Sequence, residues 1–310
     1  MEEDQGVLWP VGKPWRSAMH RAASNAPTIR FLYTPGMIFQ DKTVIITGGS
    51  EGVGAATARK FAAAGANLML VARDKKNLEK IVEELRDKAR VEIFAMDVSD
   101  ADACVDVFKK AEFEFGRVDI LINNAGYHER GAAETVDASD LGKMIDVNLK
   151  APIMLSRIAL PYLREAGGGA IINVGSLAGR TPVPGSAAYA ASKAGLRSFT
   201  YSMYDELHGS GIKIGIVSPG PIDTGFIMSD IDVVSDLTFS QPMSTADEVA
   251  QAVLDLCGNN RREKSMPQIS GILTMLTYLM PWLGRLARPA LERKGARVKR
   301  RLKAQARQEQ

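Results

Sequence analysis

A doubly wound α/β fold, with one parallel sheet covered by helices on both faces, is predicted for residues 41–264 on two observations. Short runs of β-branched and apolar residues recur, and they are continuously apolar rather than alternating, as strands buried on both faces must be. Each run is followed by an amphipathic stretch of helical length, which is the β-α-β order of a parallel sheet.

TVIIT at 43–47 reads as the first strand, followed by a helix to Ala64. NLMLVA at 67–72 is the second strand, with a helix over Asp74–Lys88, and VEIFAMD at 91–97 the third, with a helix over Ala101–Phe115. After VDILIN at 118–123 one long helix is expected from about Asp137 to Glu165. AIINVGS at 170–176, a helix over Ala187–His208, and IKIGIVSP at 212–219 follow, then a loop and a helix beginning near Ser244. No internal repeat interrupts this series.

Composition bounds function only broadly. The chain of 310 residues is 45% apolar and 24% charged, ordinary for a globular protein. Two cysteines, Cys104 and Cys257, and three scattered histidines suit neither a disulfide framework nor a metal centre. The opening MEEDQ is acidic where a secretory signal is basic, and no apolar segment follows it, so the expectation is a cytosolic protein. The overall charge of +3 is uneven: from Arg285 to Gln310 ten Lys/Arg face only Glu292 and Glu309, a local +8 that leaves the rest near −5. A nucleic-acid-binding body, whose basic patch should lie on the folded domain, is thereby disfavoured.

Two flanks fall outside the expected domain. Residues 1–40 carry Trp9, Pro10, Pro14, Trp15, Pro27 and Pro35, too proline-broken for a long helix and too aromatic for a fully solvated arm. Residues 265–310 begin apolar and end basic.

The first strand runs into TGGSEGVG, which places Gly48, Ser50, Gly52, Val53 and Gly54 at a strand-to-helix turn. Glycines there let backbone approach a pyrophosphate, and amides at the helix N-terminus point at it. In YAASK, Tyr189 and Lys193 stand one helical turn apart, so the ammonium can sit beside the phenol and favour its ionised form. Ser176 lies upstream in INVGSLAG.

With Asp97-Val98 after the third strand, NNAG at Asn123 to Gly126, Asn148, and Pro219-Gly220 after the sixth strand, these motifs stand in one order. Over roughly Asp41 to Lys264 the chain resembles the short-chain dehydrogenase/reductase family, which has a Rossmann fold. Asn123 and Gly126 equally suit a structural role at the sheet edge, and Asn148 that of a satisfied polar residue in a helix. The resemblance implies that Asp97 bonds adenine with Val98 beside it at the cofactor, that NNAG, with Asn124, Ala125 and Gly126, supports the nicotinamide ribose side, and that Thr224 meets the carboxamide. It also implies that Lys193 bonds the ribose hydroxyls and that Asn148 holds a water linking Lys193 to solvent. Relatives commonly pair the helices bearing Asn148 and Tyr189 with a second subunit, so a homo-oligomer is expected by analogy.

In such an enzyme Tyr189 gives a proton to the substrate oxygen as hydride reaches its carbon, and Ser176 stabilises that oxygen. At the end of the second strand, where NAD enzymes place an acid, the chain reads Ala72-Arg73, which favours NADP(H). Arg73 stacking on adenine or facing solvent is the alternative, and Glu51 departs from the basic residue of many NADP-preferring relatives. His128 reads as a polar loop residue, with a substrate-facing role as the alternative.

Beyond Pro219-Gly220 a lid is expected, carrying Phe226, Ile227, Met228, Ile231, Val233, Val234, Leu237 and Phe239. An apolar lid suits a lipophilic ketone, although the same residues could cover the protein's own core. Between Met266 and Gly284 no residue is charged, and Tyr278 and Trp282 precede the basic tail. That order fits an interfacial membrane contact, or equally a helix packed on the domain or on a second subunit. The chain loosely resembles the 3-ketosphinganine reductase and membrane-associated hydroxysteroid dehydrogenase branches, which implies an NADP(H)-dependent reductase of a long-chain 3-oxo lipid. The alternatives are an NAD-dependent secondary-alcohol or steroid dehydrogenase and, more remotely, a non-catalytic dinucleotide-binding scaffold.

Overall fold

β-branched and apolar side chains at every position of β1 (Thr43–Thr47) require cover on both faces, and both faces have it. Val44 and Ile46 enter a cluster with Ala58 and Phe61 of α1 (Gly52–Ala63), Leu78 of α2 (Lys75–Leu85) and Val253 of α7 (Ala246–Gly258). Ile45 points the other way, into a cluster with Phe108 of α3 (Ala101–Phe115) and Leu155 of α5 (Ala151–Glu165). The computed structural model describes residues 39–224 and 231–308.

The remaining strands are β2 (Asn67–Ala72), β3 (Val91–Ala95), β4 (Ile120–Asn123), β5 (Gly169–Val174), β6 (Ile212–Pro219), the short β7 (Ile222–Asp223) and β8 (Ser244–Thr245), and β9 (Glu263–Met266). Six of them join β1 in one parallel sheet of order β3-β2-β1-β4-β5-β6-β9, so the chain reverses direction across the sheet between β1 and β4. That is the doubly wound Rossmann arrangement, and it opens a crevice at the carboxyl ends of β1 and β4. Local chemistry agrees with the boundaries. Asp100 caps α3 by accepting from Asp102 and Ala103 amides, Gly116 ends it in the left-handed region, and Thr245 with Glu248 forms a capping box on α7.

Two expectations change. The long helix expected after β4 does run over residues 138–165, but a π-helical turn over Asp146–Lys150 separates α4 (Ala138–Ile145) from α5. This widened turn contains Asn148, which is fully buried. Second, the boundary expected after Lys264 falls inside β9, so the residues beyond it continue the compact unit Gly36–Gln310. They form α8 (Gln268–Leu279) and α9 (Pro281–Gln308), after α6 (Ala187–Glu206) has supplied the helix of the YAASK motif. The proline- and tryptophan-bearing part of residues 1–38 and the lid residues Phe226, Ile227 and Met228 lie outside the described residues.

Candidate active site

A cleft of about 1360 Å³ opens at the carboxyl edge of the sheet. Gly48, Ser50, Gly52 and Val53 line it from the β1–α1 turn, Arg73 from the end of β2, and Asp97 and Val98 from beyond β3. Asn124, Ala125 and Gly126 follow β4, Ser176 follows β5, and Pro219, Gly220 and Thr224 lie at and beyond the end of β6. Tyr189 and Lys193 reach it from α6. Of the motif residues singled out in the sequence, Gly54, Asn123 and Asn148 stand behind the wall, and all three shape it.

A Cβ at Gly54 would lie 1.9 Å from the Gly48 carbonyl oxygen, so only glycine lets α1 start this close to the turn. Asn124 clamps the same turn, its Nδ2 donating to the Thr47 and Gly48 carbonyls at 2.9 and 3.1 Å. The Asn124 and Ala125 amides both donate to Thr47 Oγ1 at 3.0 Å. Asn123 is structural: buried beside Ser156, it donates to Asn173 Oδ1 at 2.9 Å. Glu51 is exposed and makes no side-chain cap to α1, so the first amides of that helix face the cleft uncapped. This cradle fits the pyrophosphate of a dinucleotide. Asp97 accepts from the Ser99 amide at 2.9 Å and the Ser99 hydroxyl at 2.7 Å, and chiefly the amide bond holds its carboxyl below the usual range.

Behind the cleft, Asn148 pairs with the backbone of Tyr127 as a neighbouring strand would. Its Oδ1 accepts from the Tyr127 amide at 2.8 Å, and its Nδ2 donates to the Tyr127 carbonyl at 2.7 Å and to Ser192 Oγ at 3.3 Å. The side chain thereby holds the loop after β4. Lys193 donates from Nζ to the Val174 carbonyl at 2.9 Å, at the end of β5. Gly179, in the 3₁₀ turn Leu177–Arg180 after Ser176, packs on α6 so closely that a Cβ would meet the Lys193 carbonyl carbon at 2.8 Å. The turn bearing Ser176 and the helix bearing Tyr189 and Lys193 are thus held against each other.

The electrostatics differ from the expectation that Lys193 lowers the Tyr189 pKa. Burial raises the phenol above its ordinary value, and the hydrogen bond with Ser176 and the Arg130 charge offset that only in part. The same burial pushes Lys193 down to about 8. Removing water favours the neutral form of each group, which drives an acid up and a base down. With Nζ 5.8 Å from the Tyr189 ring centroid, Lys193 sits beside the phenol without reversing that trend.

Two further neighbours join the site, His128, for which the sequence offered this only as the alternative, and Arg130, which it did not mark. His128 stacks on the Tyr189 ring, centroids 4.1 Å apart and planes 12° from parallel, with Nε2 3.1 Å from Ser186 Oγ. Burial first, and then Arg130 and Lys193, hold its pKa down to about 3, so the imidazole is neutral. Its place directly after NNAG and Tyr127 was the available signal, and it supports the alternative to a plain loop residue. Arg130 also lines the cleft.

The lid residues differ in what they touch. Val233, Val234 and Leu237 line the cleft, and Val234 also packs with buried Phe239 against Val298 and Leu302 of α9. Lys299 ties the same loop to α9, donating to the carbonyls of Asp232 and Val234 at 3.0 and 2.7 Å, and Lys303 pairs with Asp232. Phe239 thus covers the protein's own core, while Val233 and Leu237 face the cleft.

Comparison with known proteins agrees with this geometry. The family model for short chain dehydrogenases matches residues 42–232. Sulfoacetaldehyde reductase 2 of Chromohalobacter salexigens is 41% identical over 187 residues, 60% of this chain and 74% of that protein. The 3-oxoacyl acyl-carrier-protein reductase FabG of Thermotoga maritima is 32% identical over 228 residues, 72% of this chain and 93% of that protein. Among solved structures, a metagenomic short-chain oxidoreductase in complex with NADP is 32% identical, covers 73% of this chain and 97% of its own, and has a TM-score of 0.63. Levodione reductase, 28% identical, covers 71% of this chain and 91% of its own with a TM-score of 0.65. With its glycine turn, its sheet order and the Ser176, Tyr189 and Lys193 cluster all inside or beside the matched segment, the chain belongs to the short chain dehydrogenase family of oxidoreductases.

Proposed function

We propose that this protein is an NADPH-dependent reductase of lipophilic ketones, long-chain 3-oxo lipids ahead of steroids and small xenobiotic carbonyls. The observation that carries the reading is the convergence of Ser176, Tyr189 and Lys193 on one wall of a cleft whose other side is apolar. Val233, Leu237, Ile269 and Leu273 supply that apolar side.

Arg73 is exposed at the mouth of the dinucleotide cradle, next to neutral Ala72, where a guanidinium can pair with a 2′-phosphate. The NADP held by the metagenomic relative supports this choice. When bound, NADPH supplies the hydride. Tyr189 delivers a proton to the carbonyl oxygen, Ser176 donates a hydrogen bond to the same oxygen as its charge develops, and Lys193 keeps a cation beside the phenol as the proton leaves. Neutral His128 holds the Tyr189 ring flat against it, which fixes where the phenol oxygen points. In this reading the enzyme works in the cytosol and pairs with a second copy through α4, α5 and α6.

A second reading, reduction of a small anionic carbonyl, is favoured by Arg130, which lines the same cleft close enough to Tyr189 to draw its phenol down. The 41% identical relative is named for such a substrate. A panel of purified protein with NADPH against long-chain 3-oxo esters, steroids, small neutral ketones and sulfonated aldehydes separates the two. Highest kcat/KM on the sulfonated aldehyde would replace the lipophilic reading.

Three outcomes are expected. Because Lys193 titrates near 8 and Tyr189 above its ordinary value, kcat/KM for reduction should be level below neutrality and fall as pH rises through about 8, where the ammonium is lost before the phenol. A profile flat to pH values well above 9 would remove Lys193 from the chemistry. Tyr189→Phe should retain NADPH affinity and lose about 10² to 10⁴-fold in turnover; turnover within threefold of the parent would exclude Tyr189 as the proton donor. Arg73→Ala should weaken NADPH about tenfold, by the loss of a charged hydrogen bond, and leave NADH nearly unchanged. Equal losses for both cofactors, by fluorescence titration, would make Arg73 an adenine-stacking residue.

A further inference from the structure

Helix α8 is inside out. The residues it turns to the domain are small or hydroxylic: Ser270, Gly271 and Thr274 are buried, and a Cβ on Gly271 would meet Ser265 Cβ at 2.5 Å. The Thr274 and Thr277 hydroxyls are satisfied within the helix, donating to the Gly271 and Thr274 carbonyls at 3.0 Å, and Arg180 reaches the Gly271 carbonyl too. The large apolar side chains point away. Ile272, Met275, Leu276, Tyr278 and Leu279 are exposed, Tyr278 and Leu279 by 68% each, and Trp282 extends the patch onto α9. An amphipathic helix that packs by its polar stripe and displays its apolar one has an apolar environment outside the domain.

The charges beside the patch identify that environment. Residues 265–284 hold no charged side chain, and α9 then carries ten Lys/Arg against Glu292 alone. Lys299 and Lys303 are used in holding the lid loop, and Arg288 pairs with Glu292. Arg285, Arg293, Lys294, Arg297, Arg300 and Arg301 have no carboxylate partner among the described residues. A second copy of this chain docked about a twofold axis on the same face would bring these cations together, whereas an anionic lipid surface complements them. No helix among the described residues is long and apolar enough to cross a membrane, so the patch lies in the interface rather than spanning it.

We propose that α8 and the first turns of α9 dock this protein on the surface of a bilayer containing anionic lipid, with the mouth of the cleft at that surface. Ile269 and Leu273 of α8 and Arg285 and Lys294 of α9 line the cleft as well, so the apolar patch is continuous with it. A carbonyl dissolved in lipid then enters without crossing water. Docking stands on the surface alone, and only this delivery step rests on the lipophilic-substrate reading.

Flotation of the full chain with vesicles of phosphatidylcholine, alone or with one-third phosphatidylserine, tests the proposal. Binding is expected to the phosphatidylserine vesicles at low salt, to fall about tenfold with raised salt, and to fall about tenfold in Leu276→Glu/Leu279→Glu. Neither leucine lines the cleft, so that variant should reduce a small soluble ketone at the parental rate; if it does not, Leu286→Glu, at a side chain 74% exposed, replaces it. Failure of the full chain to float with anionic vesicles at low salt overturns the proposal. So does flotation that neither variant weakens, or a shift of the variant from dimer to monomer in size-exclusion chromatography with no effect on vesicles. Loss of soluble-ketone reduction by the parent would instead strike the enzyme reading and leave docking standing.

Discussion

The ammonium of Lys193 is held away from water at the end of β5, and the site is built around keeping it there. Burying a cation is costly unless it is bonded. The Val174 carbonyl accepts from it at 2.9 Å. That bond joins α6 to the strand end from which Ser176 projects, and the contact of Gly179 with the Lys193 backbone repeats the join one turn on. Asn148 and Ser192 close the other side by fastening α6 and the π-helical turn to the loop after β4. Loosening the ammonium would therefore disturb the placement of Tyr189 and Ser176 together, because they share its supports.

A further layer of polar contacts fastens the Ser176 turn from outside. Glu263 of β9 is buried with Arg180, Arg197, Tyr201 and Ser218 around it. Burial alone would raise its carboxyl, but the bonds from Ser218, Tyr201 and Arg180 outweigh this and leave it below the ordinary value. Since Arg180 ends the turn that begins after Ser176 and also reaches Gly271, this hub connects the Ser176 wall of the cleft to α8. The C-terminal helices are part of the same construction as the site. They wall the cleft, grip the lid loop through Lys299 and Lys303, and turn their apolar side chains outward.

Much of this was legible in the sequence because its signals are local. Continuous apolar runs marked the strands, and the glycine turn and YAASK spacing marked the two ends of the cleft, since backbone approach and an i, i+4 pair depend only on neighbours in the chain. The π-helical turn at Asp146–Lys150 was not legible, because it accompanies the pairing of Asn148 with Tyr127, a contact made across the fold. The stacking of His128 on Tyr189 and the upward displacement of the Tyr189 pKa were hidden for the same reason: each depends on burial, which a helical spacing does not report. That Phe239 and one side of Val234 pack on α9 was hidden until that helix was placed against them. Likewise, the apolar run at 266–284 showed hydrophobicity but not which stripe of α8 faces the domain.

Isotope transfer tests the proposed chemistry most directly. NADPH dideuterated at C4 of the nicotinamide is incubated with the protein and a ketone in ordinary water, and the alcohol is examined by mass spectrometry and NMR. Deuterium on the carbinol carbon, with protium on the oxygen, is the result expected of hydride delivered across the cleft to a carbonyl protonated by Tyr189. An alcohol whose carbinol carbon holds only protium, or NADPH consumed with no alcohol formed from any carbonyl offered, would contradict it.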